Sequence, residues 1–329
     1  MAEKFSHTLG LLAVLAATLI AADFAPLAPE ELIRGAAAAG PHAFFTWGTR
    51  LLAWDAGGGA PAVIRGAGKP FGEGGCVWDV DHDGRSDVIV QEGAGLGKLV
   101  WFHAPEWTRH EIDSESEFHD CLGATLFGRR GILVTHRHGQ VRFYEPPAGK
   151  SENWSHTEIY SFYTPSNQAG LLVSDVDGDG LPDILCGNYW IRSPQRFDLP
   201  WRLFAINTYS ELPESAMMRL ALTPELVAAQ GHLANGRLTR FEKPPDPREQ
   251  WNAQPLGEEL KLRYPHALAS LGGGEFVVGE NNGRASRVIE FSKRGHRVIS
   301  TGAPAHTLLL VDGRIIAVGP HGIESYLRK

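Results

Sequence analysis

Beyond its first twenty-odd positions the chain alternates short apolar runs with clusters of Gly, Pro, Asn and Asp, and it nowhere sustains the three-and-four spacing of an amphipathic helix. The runs favour Val, Ile, Leu and aromatics, so they predict β-strands joined by tight turns. They recur with a period of about 45 residues. One apolar run marks the second strand of each unit: Leu51-Leu52-Ala53, Val88-Ile89-Val90, Ile132-Leu133-Val134, Ile184-Leu185-Cys186, Leu226-Val227-Ala228, Phe276-Val277-Val278 and Ile315-Ile316-Ala317. Third strands carry an aromatic and then Pro, as in Trp101 to Pro105, Phe143 to Pro146 and Phe241 to Pro244. A Trp precedes the fourth strand at Trp107, Trp154 and Trp251, which predicts packing between units.

Four strands per unit and seven units predict an all-β fold, a seven-bladed β-propeller of four-stranded antiparallel blades. The first unit is short, so a six-bladed ring is the alternative. A single domain should cover residues 23–329. The last unit supplies only three strands, and the segment around residues 30–34 resembles the fourth strands elsewhere. It is therefore expected to close the last blade and remove a free edge.

Two turns between first and second strands carry the chemistry that stands out. Asp79-Val80-Asp81-His82-Asp83-Gly84-Arg85-Ser86-Asp87 and Asp175-Val176-Asp177-Gly178-Asp179-Gly180-Leu181-Pro182-Asp183 both read D-x-D-x-D-G-x-x-D. Carboxylates at positions 1, 3, 5 and 9, with the backbone carbonyl of Arg85 or Leu181 at position 7, form a set of hard oxygen ligands suited to Ca²⁺. An EF-hand begins in the same way but needs a bidentate acid at position 12 between two helices. Here position 12 is Val90 or Cys186 and the flanks are strands. Two Ca²⁺ sites are expected, in blades two and four; solvated acidic turns without metal are the bland alternative.

Such loops inside propeller blades resemble the FG-GAP/VCBS repeat of integrin-α-like propellers. The resemblance covers the chain beyond its leader, although only blades two and four keep the loop: Phe127-Gly128-Arg129-Arg130-Gly131 and Gly272-Gly273-Gly274 stand in its place in blades three and six. The run Val100 to Ile112, followed by Phe118-His119-Asp120, is similar to a bacterial subset that includes the propeller domain of aldos-2-ulose dehydratases. That similarity implies action on oxidised sugars, while the FG-GAP repeat by itself implies extracellular binding.

Aligning the units exposes two columns of polar residues. At the inner-strand starts stand His42, Glu73, His119, Ala169, Ser215, His266 and His306; just past the second strands stand Asp55, Glu92, His136, Asn188, Gln230, Glu280 and Gly319. Both columns should ring the axis on the face opposite the Ca²⁺ loops, with Trp190 nearby to stack on a sugar ring or to pack under a loop. Imidazoles and carboxylates at such a funnel can hydrogen-bond a polyol, move protons or hold a second metal. The competing reading is scaffolding, in which each polar group bonds the adjacent blade.

Composition narrows the partners. With 31 Lys and Arg against 38 Asp and Glu, and no basic block, nucleic acid is not expected. Lys4 followed by the apolar segment Leu9 to Ala22 reads as a secretory signal, residues 1–22, cut after Ala22; it is short for a membrane span. A secreted or periplasmic monomer follows, with no membrane span after cleavage. Cys76, Cys121 and Cys186 form no CxxC motif, and whether Cys76 and Cys121 bridge neighbouring blades stays open. Three functions remain. The first is binding of a carbohydrate or other small polar ligand through His42, Glu73, His266, His306, Asn188, Trp190 and Glu280. The second is a sugar or keto-sugar lyase, with His119 or His136 as base and Glu73, Glu92 or Glu280 as an acid or metal ligand. The third is a structural module that meets a surface protein.

Overall fold

The computed structural model describes residues 24–328 apart from 94, 137–138, 148–153, 163–169, 208–216, 231–233 and 235. The expected leader lies outside the described residues. The rest forms seven antiparallel sheets arranged as a seven-bladed β-propeller, with two short 3-10 turns among the described residues in place of longer helices. The inner strands run over Ile33–Ala39, Phe71–Trp78, Phe118–Leu126, Leu171–Ser174, Met217–Leu222, Pro265–Gly272 and Thr307–Val311. Each lies beside the inner strands of both neighbouring blades, the last beside the first, so the ring closes.

In blades two to seven the second strands are the apolar runs read from the sequence, because each is covered by adjacent blades on both faces. Val88, Ile89 and Val90 are fully buried, as are Ile132, Leu133 and Val134. Burying such side chains contributes about 1.5–3 kcal/mol each, so the inter-blade layers are the principal source of stability. The tryptophans that precede the outer strands pack in those layers, Trp107 edge-on to Phe45 at 5.5 Å and Trp154 edge-on to Trp101 at 5.9 Å.

Blade one departs from the expected register. Its inner strand is Ile33–Ala39, its second strand Ala43–Gly48, and Leu51–Asp55 is its third. An alanine run has little intrinsic β preference and shows no apolar contrast, so Leu51-Leu52-Ala53 stood out instead. The segment expected to close the last blade is thus the start of blade one, and among the described residues the last blade keeps three strands. Closure comes from side-by-side contact. The Ile33 N–H donates to the Pro320 carbonyl at 2.8 Å, and Ile33, Phe44 and Trp54 share a core with Val311, Ile316 and Val318. Phe24 seals that seam edge-on to both Phe44 and Trp54 at 5.7 Å.

Cys76 and Cys121 form a disulfide between the inner strands of blades two and three, with Cα atoms 5.2 Å apart. Cys186 is a buried free thiol.

Candidate functional site

The two acidic loops fold alike because their glycines and turn residues demand it. Positions 4 and 6 both take left-handed backbone, His82 and Gly84 in the first loop and Gly178 and Gly180 in the second. The first aspartate of each loop accepts the N–H at position 6, Asp79 from Gly84 at 3.1 Å and Asp175 from Gly180 at 2.9 Å. The fifth accepts the N–H at position 7, Asp83 from Arg85 at 2.8 Å and Asp179 from Leu181 at 3.0 Å. One oxygen each from Asp175, Asp177 and Asp183 lie within 4.8 Å of one another, and in the first loop Asp81, Asp83 and His103 do so. Oδ1 of Asp79 is buried without a hydrogen-bond partner. The donor set is therefore of the kind a hard cation takes.

The ninth aspartates do something the motif did not show. Asp87 accepts the N–H groups of Val80 at 3.1 Å and Ala104 at 2.8 Å, and Asp183 those of Val176 at 3.1 Å and Ser193 at 2.8 Å. Each carboxylate staples its loop to the end of the third strand. Burial pushes both carboxyls above the ordinary range, against those N–H bonds. A basic side chain also stands against the aspartate at position 3 of each loop. His103 Nε2 lies 3.0 Å from Asp81 Oδ2, while Arg192 reaches Asp177 at 2.5 Å and Asp179 at 3.0 Å.

At the axis lies a cavity of about 210 Å³ whose wall includes Arg34, Glu73, His119, Asp120, Arg219 and His306. The inner-strand column is thus brought together in part. Glu73, His119 and His306 line the cavity, and His266 sits behind it with its Nδ1 3.4 Å from the His306 carbonyl. Ala169 and Ser215 lie outside the described residues. His42 is displaced: it follows the first inner strand, in the turn on the face that carries the acidic loops, exposed beside Asp312 at 3.4 Å. Arg34 takes its place at the axis, a consequence of the changed register in blade one.

Two buried imidazoles leave a nitrogen without a hydrogen bond in this wall, Nδ1 of His119 and Nε2 of His306. His119 Nδ1 is 3.7 Å from Asp120 Oδ2, beyond bonding distance. Asp120 accepts the Gly170 N–H at 2.5 Å and lies 3.5 Å from Arg219. Burial alone would raise its carboxyl, but His119, Arg219 and the Gly170 N–H together hold it well below the ordinary range. His306 is driven the other way for a base: burial, with His266 and Arg219 nearby, pulls it down to about 4, so it is neutral near pH 7. The cavity therefore presents an ionised acid at Asp120, an uncharged imidazole at His306 and two guanidinium groups. The funnel residues do not converge as a metal cluster; among the described residues only the two loops do.

The second column sits elsewhere. Glu92 is clamped by Arg109 at 2.8 Å and Arg65 at 3.2 Å, and Glu280 by Arg287 at 2.7 Å and the Arg263 N–H at 2.7 Å. His136 is buried between Phe118, edge-on at 4.9 Å, and Tyr144, whose hydroxyl is 3.2 Å from its Nε2. Asn188 is buried at the end of the second strand of blade four, and Trp190 is fully buried, stacked on Phe204 at 4.9 Å. None of these five lines the axial cavity. Asp120, Arg34 and Arg219 were missed: their signal was the polar residue beside each strand start, which a one-residue column discards.

No protein-family model and no curated protein sequence matches the chain. Solved structures do. BamB from Moraxella catarrhalis aligns with a TM-score of 0.54 at 14% identity, over 92% of this chain and 85% of that one. YCF48 from Cyanidioschyzon merolae aligns at 0.59 and 12% identity, over 92% and 97%. The extracellular domain of a one-component system from B. thetaiotaomicron aligns at 0.62 and 11% identity, over 92% of this chain and 39% of that one. At these identities the likeness shows the fold, a β-propeller spanning nearly the whole chain.

Proposed function

We propose that this protein is an exported β-propeller of FG-GAP/VCBS type, stabilised by Ca²⁺ in blades two and four, that binds a small polar ligand of carbohydrate type in its axial cavity. The observation that carries the binding site is the gathering of Arg34, Glu73, His119, Asp120, Arg219 and His306 in the wall of one polar cavity. The cavity is smaller than the 300–1,000 Å³ usual for drug-sized ligands, which suits one ring or the end of a chain. Polar side chains at several points of the wall match a polyol, which needs both donors and acceptors.

A second reading, elimination on a sugar or keto-sugar, keeps one specific support: His119 stands beside Asp120, an acid held ionised, in the same wall. There His119 would take the proton.

A screen of mono- and oligosaccharides and of keto-sugars, with wild type beside Glu73→Gln, Arg34→Gln and His119→Asn, tests both readings. Glu73 and Arg34 are exposed, so their exchange should leave the melting temperature unchanged. Each variant should weaken binding at least tenfold, about 1.4 kcal/mol. Product formation lost with His119→Asn would select the lyase. A sugar that binds all four proteins equally would place the site elsewhere.

A further inference from the structure

A second cavity lies away from the axis, between blades five and six, and no reading so far uses it. Its volume is about 440 Å³. Three cations line it: Arg237 at the start of a third strand, and Lys261 and Arg263 in the connection that leads to the inner strand of blade six. All three are exposed, and none of their side chains forms an ion pair or hydrogen bond among the described residues; Lys261 and Arg263 are engaged only through backbone N–H groups. One acid, Glu258, faces the same space. A local excess of two positive charges therefore sits on a chain whose formal net charge is -7. Other cations of this protein are spent on partners, such as Arg65 and Arg109 on Glu92 and Arg287 on Glu280.

The floor of this groove is aliphatic. Leu238 and Leu262 are buried beneath it and Leu256 is half-buried at its side. Among the described residues no aromatic side chain lines it, so they offer no surface on which a sugar ring would stack. Cations around an aliphatic floor match a chain that alternates carboxylates with aliphatic side chains: the carboxylates pair with the cations while an aliphatic group covers the leucines. We infer that this groove is a docking site for an acidic peptide segment of a partner protein, one carrying an aliphatic side chain between carboxylates. Charge complementarity selects the partner and the leucine floor fixes its register. The groove shares no lining residue with the axial cavity, so this inference stands apart from the carbohydrate reading.

The test uses the full chain and a fluorescein-labelled peptide of alternating Glu and Leu, read by anisotropy. Wild type should bind it. Raising salt from roughly 50 mM to roughly 500 mM should weaken binding steeply, because the paired charges are exposed. The double variant Arg237→Gln, Arg263→Gln should weaken binding at least tenfold with an unchanged melting temperature, while Arg248→Gln, an exposed cation elsewhere, should have no effect. A peptide of alternating Lys and Leu should fail to bind. Absence of binding to the Glu-Leu peptide, or equal binding by the double variant, would overturn the assignment. Capture of a sulfated oligosaccharide in preference to the peptide would overturn it too, and assign the groove to sugars.

Discussion

Trp47 in blade one donates its indole N–H to the Glu73 carbonyl in blade two at 3.2 Å, and so fixes the backbone that carries one acid of the axial cavity. The ring lies where a side chain at Gly75 would go: a Cβ there would stand 2.7 Å from Cζ2 of the indole. Glycine at this point lets a buried tryptophan from one blade lie flat against the next.

Gly75→Ala should therefore push the second strand of blade one away from the inner strand of blade two and destabilise the protein by about 1–3 kcal/mol, as overpacking does. Trp47→Phe removes the hydrogen bond with less change in volume. It should cost about 1 kcal/mol from that bond, with a further loss for the smaller ring. Thermal melts of both variants check this, and Gly75→Ala melting with wild type would show that the seam has slack.

Much of this architecture was legible because second strands covered on both faces read as unbroken apolar runs, Val88-Ile89-Val90 being the clearest. The inner strands were harder. They crowd the axis, use Gly and Ala for that reason, and lose the apolar contrast that marks a strand. Ile33–Ala39 was missed in this way, and with it Arg34. The second polar column was legible as polar but not as paired. Nothing at Glu92 or Glu280 in the sequence announces Arg65, Arg109 or Arg287, which arrive from other strands. Trp190 offered the same ambiguity, and burial against Phe204 resolves it toward packing.

The disulfide ties neighbouring inner strands across a sequence separation of 45. Closing a loop of that length in the unfolded chain is worth roughly 4 kcal/mol on the chain-entropy model. Cys121→Ser together with Cys76→Ser should lower the melting temperature by several degrees. Thiol titration of the denatured, unreduced protein should find one reactive group, that of Cys186. Three thiols before reduction would refute the bridge.

His306 makes stability depend on pH. Unfolded, its imidazole titrates near the ordinary 6.5; folded, burial beside His266 and Arg219 holds it down at about 4, with Glu73 opposing that shift. Below pH 6.5 the unfolded chain binds a proton that the native state refuses, so stability falls as pH drops from 6.5 to 4 and levels off below. The loss is on the order of 3 kcal/mol. His306→Asn should flatten that part of the stability curve, measured by urea unfolding across this range. Parallel wild-type and variant curves would mean the imidazole is already solvated in the native state.

Arg192 bears on the loop chemistry because its guanidinium spans Asp177 and Asp179, two of the carboxylates proposed to hold Ca²⁺ in blade four. Without a cation the gathered carboxylates repel one another, and Arg192 offsets part of that repulsion. His103, opposite the first loop, is an imidazole near Asp81 and offers no permanent charge. Chelation should lower the melting temperature and added Ca²⁺ should restore it, since a ligand that binds only the folded state stabilises it. Arg192→Gln should deepen the fall in chelator and leave the Ca²⁺-loaded melt nearly unchanged. Asp177→Ala should blunt the response to Ca²⁺, and Asp246→Ala, on an exposed turn outside both loops, should not alter it. Calorimetric melts of these proteins with chelator and with Ca²⁺ decide the matter: curves that superimpose for wild type would leave both loops as metal-free turns held by their own N–H bonds.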